Sequence, residues 1–281
     1  MTRRKPSLDS TCHLLREDPE LARPLTARQR ALAVDACTAR VLDVRRGKWN
    51  QPGDELSDGV GLLVLDGLLL RRVSVGRRSG AELLGSGDVV GPWQEDAGVK
   101  LRRATAWRAL QITRLAVLDD LALEGLAQYP EIMRELLKRS VERSRRLAVN
   151  MAIVHRPRVD IRLQLLFWHL ADRWGRVRNG QTILPLRLSH SVLADLIAAQ
   201  RPTVTTALAD LASRGIVRPA PDGWLLLAPP PEDRPDPDTP AAIPRQVPTR
   251  RGRDRVLEPP HPRGRAPHGR RAGRDASTRP G

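Results

Sequence analysis

The stretch Leu188-Ser189-His190-Ser191-Val192-Leu193-Ala194-Asp195-Leu196-Ile197-Ala198-Ala199-Gln200-Arg201-Pro202-Thr203-Val204-Thr205-Thr206-Ala207-Leu208-Ala209-Asp210-Leu211 decides how this chain is read. Ser189 suits the cap of a helix whose inner face is Leu193, Ala194, Leu196 and Ile197. Ala198-Ala199-Gln200 is a turn of small residues, across which two helices can cross closely. Arg201-Pro202 opens the second helix, with Pro202 where its missing N–H costs nothing. Val204, Leu208 and Leu211 recur at i, i+4 and i+7 and bury one side. The other side offers Arg201, Thr203, Thr205, Thr206 and Ala209. A buried seam beside a second helix with a short, polar outer face is the pattern of a helix-turn-helix. Such an outer face fits a major groove roughly 12 Å wide, so duplex DNA is the expected partner.

Working outward, Ile216-Val217, a turn at Ala220-Pro221-Asp222-Gly223 and Trp224–Leu227 predict a small hairpin. Upstream, Val159, Leu163, Leu166, Phe167 and Leu170 predict one face of a helix that Asp160 caps and Gly175 ends, followed by a strand from Thr182 to Leu186. Before that, Pro130 suits the first turn of a long helix that Pro157 stops. On it Met133, Leu137, Ser140, Ser144, Leu147, Met151 and Val154 step by 4, 3, 4, 3, 4, 3, a heptad seam weakened at its centre by two serines. Glu135 with Arg139 and Glu142 with Arg146 are four-apart pairs of the favourable orientation. A narrow apolar stripe with polar flanks needs a partner. A second copy of the chain is the economical one, and packing on the chain's own β-region is the alternative.

Residues 41–118 read as short strands between turn residues: Val41–Val44, Gly61–Leu65, Leu68–Val75, Ala81–Leu84 and Ile112–Leu118. Pro52-Gly53, Gly76, Ser86-Gly87-Asp88 and Gly91-Pro92 punctuate them, and Asp66-Gly67 is a hairpin signal. Strands at this spacing imply a β-sandwich or β-roll. Asp119-Asp120 reads as helix capping after the last strand, and the segment from Pro24 to Val41 as a short helix leading into the first. The expected class is α+β, in five parts: a flexible arm at 1–20, a β-roll at 21–128, a dimerisation helix at 129–156, a winged helix-turn-helix at 157–228, and a tail at 229–281. The tail holds 13 of the 24 prolines and 12 arginines without hydrophobic periodicity, so it is expected to be disordered.

The chain has 281 residues, enough for two ordinary cores, and a formal net charge of +16. That charge favours polyanions. It consists of 44 Arg against only 4 Lys among abundant Ala, Pro and Gly, a bias that a GC-rich genome also produces. One Tyr and one Phe leave little for stacking single-stranded bases, which favours duplex over single strands. No apolar run is long enough to span a membrane and the first residues lack a secretory apolar core, so a cytoplasmic, nucleoid-associated location is expected. Two cysteines, Cys12 and Cys37, are too few for a disulfide scaffold or a metal cluster.

Residues 188–211 resemble the helix-turn-helix of the Crp/Fnr family of bacterial regulators (cyclic-AMP receptor protein/fumarate–nitrate regulator). The resemblance rests on Leu188-Ser189, Leu193-Ala194, Arg201-Pro202-Thr203-Val204 and Leu208, and the upstream order of parts extends it over about residues 20–228. It implies a sequence-specific, homodimeric transcription regulator on a two-fold-related operator, with RNA polymerase a further partner. It implies that Ser189 and Thr203 hold phosphates and that Arg201 and Thr206 face base edges, with Thr205 beside them. His190 and Pro202 complete the DNA-facing set. The family's well-known sites carry Glu where this chain has Pro202 and Arg where it has Thr206, so a different operator is expected. A non-specific basic DNA-coating protein is the alternative.

The family's cyclic-nucleotide cassette is matched poorly. Gly91-Pro92-Trp93 lacks the ribose-binding Glu, and in Arg102-Arg103-Ala104 an arginine replaces the small hydroxyl residue. Gly91, Arg102 and Arg103 are the weak ligand candidates, and no cofactor is expected. Catalysis and metal binding are not expected either: no His lies between His13 and His155, His155, His169 and His190 are scattered, and the nucleophile, phosphate-loop and zinc motifs are absent. Redox or haem sensing would need more than Cys12-His13 in the arm and Cys37 on an apolar helix face.

Overall fold

The computed structural model describes residues 10–50, 59–91 and 101–231. The chain opens with β1 (Ser10–His13), α1 (Leu14–Glu17), α2 (Ala27–Ala36), β2 (Thr38–Val44) and β3 (Gly47–Trp49). It continues with β4 (Gly61–Asp66), β5 (Leu68–Val75), β6 (Arg78–Gly85), β7 (Val89–Val90), β8 (Arg103–Ala109) and β9 (Thr113–Leu118). These strands form two antiparallel sheets, one ordered β1-β2-β9-β4-β7 and the other β3-β8-β5-β6. Their facing sides close on Leu42, Leu62, Val64, Leu69, Leu84, Trp107, Leu115 and Val117, the interior of a β-roll.

Side-chain alternation along the strands builds a second layer outside each sheet. On the first sheet, Val41, Leu63 and Ala116 face outward onto α1, α2, α3 (Asp120–Ala127) and the start of α4 (Pro130–Val154). On the second, Leu68, Leu70 and Ala81 face outward and share a core with the C-terminal elements. Those are α5 (Val159–Trp174), β10 (Arg176–Arg178), β11 (Gln181–Leu184), α6 (His190–Leu196), α7 (Arg201–Ser213), β12 (Val217–Ala220) and β13 (Gly223–Leu226). A small antiparallel sheet, β10-β11-β13-β12, makes the wing.

Several expectations need correction. Only residues 1–9 of the arm lie outside the described part; Ser10–His13 pairs with β2, and Leu14, Leu15 and Leu21 are fully buried. The apolar signal there is spread over pieces of four residues, too short to show a period. Asp66-Gly67 does not close a hairpin: β4 and β5 belong to different sheets, and Gly67 at φ +98° turns the corner between them. The tight hairpin joins β5 to β6 instead, with Val75 opposite Arg78 and Gly76 at φ +57° in the two-residue loop. The short strands β3, β7 and β10 and the longer β8 were not foreseen. Asp119 does cap α3, accepting from Ala122 N–H at 3.0 Å. Asp160 does not cap α5; it sits inside the first turn and accepts from Arg158 at 2.6 and 3.1 Å. The tail from Glu232 and the cassette residues Pro92–Lys100 lie outside the described residues.

Helix α4 presents two faces. Ile132, Leu136 and Ile153 are buried, and the same stripe carries Arg139, Arg143, Arg146 and Asn150. Each of these arginines meets an acid of the roll: Asp18, Glu82 and Asp88 respectively. Of the heptad seam, Leu137, Ser144 and Met151 are exposed, Leu137 at 66% and Met151 at 63%, whereas Met133 packs on the core outside the first sheet and Leu147 and Val154 are half-buried against the roll. Glu135 does pair with Arg139, at 3.6 Å, whereas Glu142 pairs with Arg145 because Arg146 turns inward to Asp88.

Candidate nucleic-acid interface

Ser189 is the N-cap of α6, its hydroxyl accepting from Val192 N–H at 3.3 Å. Val192, Leu193, Ala194 and Leu196 are buried beneath it. The helix ends in a Schellman turn: Ala199 N–H donates to Ala194 C=O at 3.0 Å, and Ala198 takes the left-handed conformation at φ +51°. Arg162 of α5 donates to the Ile197 carbonyl at 3.2 Å, which supplies one more partner for the exposed carbonyls of that helix end. Helix α7 then begins at Arg201 with Pro202 in its first turn, and Val204, Leu208 and Leu211 are buried.

Arg201, Pro202, Thr203, Thr205 and Thr206 all lie on the exposed side of α7. Thr205 and Thr206 donate their hydroxyls to the carbonyls of Arg201 and Pro202, at 3.1 and 3.3 Å. His190 Nδ1 lies 2.9 Å from Thr205 Oγ1, within hydrogen-bond distance. This contact links the first residue of α6 to the outer face of α7. The His190 ring also stands 6.5 Å from Trp224 of the wing, which packs at 5.0 Å on Phe167 of α5. The predicted DNA-facing residues are therefore brought together on one exposed surface, and the aromatic set beneath fixes its pose.

A polar node that the sequence reading missed holds α4 and α5 to the roll. Asp88, 2% exposed, accepts from Gly85 N–H at 2.9 Å, from Arg146 at 2.5 Å and from Arg173 of α5 at 2.7 Å. A 4, 3 spacing of arginines at 139, 143 and 146 was the available signal. Burial lowers the Arg146 pKa from its ordinary value, and the Asp88 carboxylate opposes that shift.

Gly91 and Arg102 are exposed and Arg103 is half-buried in β8. Where the roll faces α4, a space of about 350 Å³ is lined by Arg71, Glu82, Asn150, Met151 and His155, among others. Its Arg71 is already engaged with the buried Glu82 carboxylate, which Arg143 of α4 also holds. A cyclic phosphate entering there would meet that carboxylate, so this lining fits a cyclic nucleotide poorly.

Both thiols are buried and free. Burial pushes Cys37 up to about 11, and burial aided by Glu17 raises Cys12, so neither is a ready thiolate. Among the described residues no three His, Cys, Asp or Glu side chains converge as a metal site, and no helix is long and apolar enough to cross a membrane.

Fold and surface together define a winged helix-turn-helix DNA-binding protein with a β-roll in front. Residues 162–229 match the model of the Crp-like helix-turn-helix domain. A protein of Mycobacterium tuberculosis described as a CRP-like cAMP-activated global transcriptional regulator is 29% identical over 171 residues, which span 60% of this chain and 73% of the relative. A cyclic nucleotide-binding domain containing protein from Listeria monocytogenes shares the fold at TM-score 0.54 and 13% identity, over 67% of this chain and 89% of its own. CprK in complex with OCPA does so at TM-score 0.51 and 15% identity, over 72% and 90%. Residues 162–229 thus carry a Crp-like helix-turn-helix domain, and the chain is similar to a CRP-like transcription regulator over 60% of its length. The DNA-coating alternative draws no support from these relatives.

Proposed function

We propose that this regulator acts as a homodimer through residues 130–156 and reads a two-fold-related operator with the helix that starts at Arg201. The observation that carries the reading is the exposed row of Arg201, Thr203, Thr205 and Thr206, packed from behind by Val204, Leu208 and Leu211. Half-sites then lie about one helical turn, ~34 Å, apart. Ser189 and Thr203 hold phosphates, Arg201 reads a guanine edge, and Thr205, Thr206 and His190 shape the surface beside it. The β-roll works without a cyclic nucleotide, because Glu82 already occupies Arg71 and Arg143. No catalytic step is assigned to the chain. A cytoplasmic site of action at the nucleoid, with RNA polymerase as a further partner, follows from this role.

The test is selection of bound duplexes from a random-sequence pool, followed by competition at fixed salt. The expected result is a two-fold-related site preferred over random duplex by ~10³-fold or more. Equal binding of every duplex would overturn the reading. Added cyclic AMP or cyclic GMP should leave both the preference and the melting temperature unchanged.

A further inference from the structure

The fold neutralises the arginines it buries and leaves a different set unopposed. A groove runs between the edge of the second β-roll sheet and the loop that enters α6. At one end a space of about 260 Å³ is walled by Arg46, Lys48 and Arg108 of the roll and by Arg187 and Ser189 before α6. At the other, about 500 Å³, Lys48 and Arg108 recur and the lining extends to Arg72 and Asp195. Lys48 and Arg108 are directly opposed across β3 and β8, so their side chains leave the sheet on the same face. Arg46, Lys48 and Arg108 are exposed, and among the described residues none of them forms an ion pair. The acids nearby are already used: Asp195 pairs with Arg72 at 3.3 Å, and Asp222 with Arg187 at 3.0 Å.

Like charges opposed on neighbouring strands repel, so this arrangement costs stability unless a counter-charge covers it. The two spaces share the Lys48–Arg108 wall, their cations come from two separate parts of the fold, and one of them is bounded by Ser189. Those features fit an extended polyanion better than a small anion, which calls for donors converging in a closed site. We infer that Arg46, Lys48 and Arg108 form a phosphate track on the β-roll, which takes the duplex backbone flanking the operator. The inference rests on the proposed DNA reading by α7 and adds a second contact surface to it, one that supplies affinity without sequence selectivity.

The experiment uses the full chain with Arg46→Gln, Lys48→Gln and Arg108→Gln combined. All three side chains are exposed, so the variant is expected to fold, and its unfolding midpoint is measured alongside. Binding is titrated against salt on a selected site trimmed to its two half-sites, and on the same site extended by about one helical turn on each side. The dimer loses six cations, so on the extended duplex the slope of log K against log salt should fall in magnitude by about 5.4, and wild type should lose about 1,800-fold more affinity than the variant between 50 and 200 mM salt. On the trimmed duplex the two proteins should match. Equal slopes on the extended duplex would overturn the inference, as would an equal loss on both duplexes. So would binding of inorganic pyrophosphate to the groove with no effect of duplex length, which would make it a small-anion site. Failure of the operator reading registers separately, as loss of preference for selected over random sequence in the wild-type protein.

Discussion

Arg201 and Asp88 illustrate two opposite uses of charge in this chain. Arg201 is exposed at the start of α7 and makes no ion pair among the described residues, so its removal leaves the fold unharmed. Replacing it by alanine is expected to relax selectivity at one base pair by about 1–3 kcal/mol while leaving the unfolding midpoint unchanged. Repeating the duplex selection with the variant checks this; an unaltered preference at every position would remove Arg201 from the reading set. Asp88 is buried and serves two guanidiniums from two helices. Asp88→Asn keeps the shape but leaves Arg146 and Arg173 partly desolvated without a counter-charge. Losing one partner of a buried pair typically costs about 3–5 kcal/mol. Urea unfolding followed by circular dichroism should show a loss on that scale, and a change under 1 kcal/mol would mean that water already screens the node.

Among the elements, α5 couples stability to pH through His169. Burial lowers its pKa, with Arg146 acting in the same direction and Asp172 against it, so the folded chain holds the ring neutral further into acid than the unfolded chain does. The stability this contributes is fully present above the unfolded value near 6.5 and is lost as pH falls through the folded value. The midpoint of thermal unfolding should therefore decline on acidification from about pH 7 to 5, and His169→Gln should flatten that decline. Parallel curves for both proteins would place the titration elsewhere.

The elements also differ in how far the sequence disclosed them. Helices α5, α6 and α7 were legible because each buries one clean stripe and is bounded by Pro, Gly or a hydroxyl cap, and the β12–β13 hairpin by its turn residues, whereas β10 of the same sheet was not. The two serines in the seam of α4 and the arginines on its other stripe hid which face meets the roll, because a buried arginine reads in sequence as a surface residue. The roll was recognised from its spacing, but β3, β7 and β8 were not. They are short or carry charges on the outward face, and their partners are distant in the chain. Asp66-Gly67 misled for a related reason: a glycine at positive φ turns a corner between sheets as readily as it closes a hairpin. At the site, the outer face of α7 was readable, whereas the contact of His190 with Thr205 depends on how two helices cross.

For the molecule as a whole, the proposed assembly rests on the outer side of α4. Leu137 and Met151 stand 66% and 63% exposed, with Val141 and Val149 exposed nearby, on a helix whose inner side is already engaged. Apolar side chains along one exposed stripe of a 25-residue helix are what a second copy of that helix would cover. Two copies joined there present two α7 helices, and joining converts the second half-site contact into an intramolecular event. Such linkage raises affinity by about 10²–10⁴-fold without any new contact to DNA. Placing charges on the stripe with Leu137→Glu and Met151→Glu should therefore give a folded monomer by sedimentation. Its affinity for the two-half-site duplex should fall by about that factor, while its affinity for a single half-site should not change. If the double variant stays dimeric, the interface lies on another surface; if it is monomeric yet binds the full operator as tightly as before, the two half-sites are not read together.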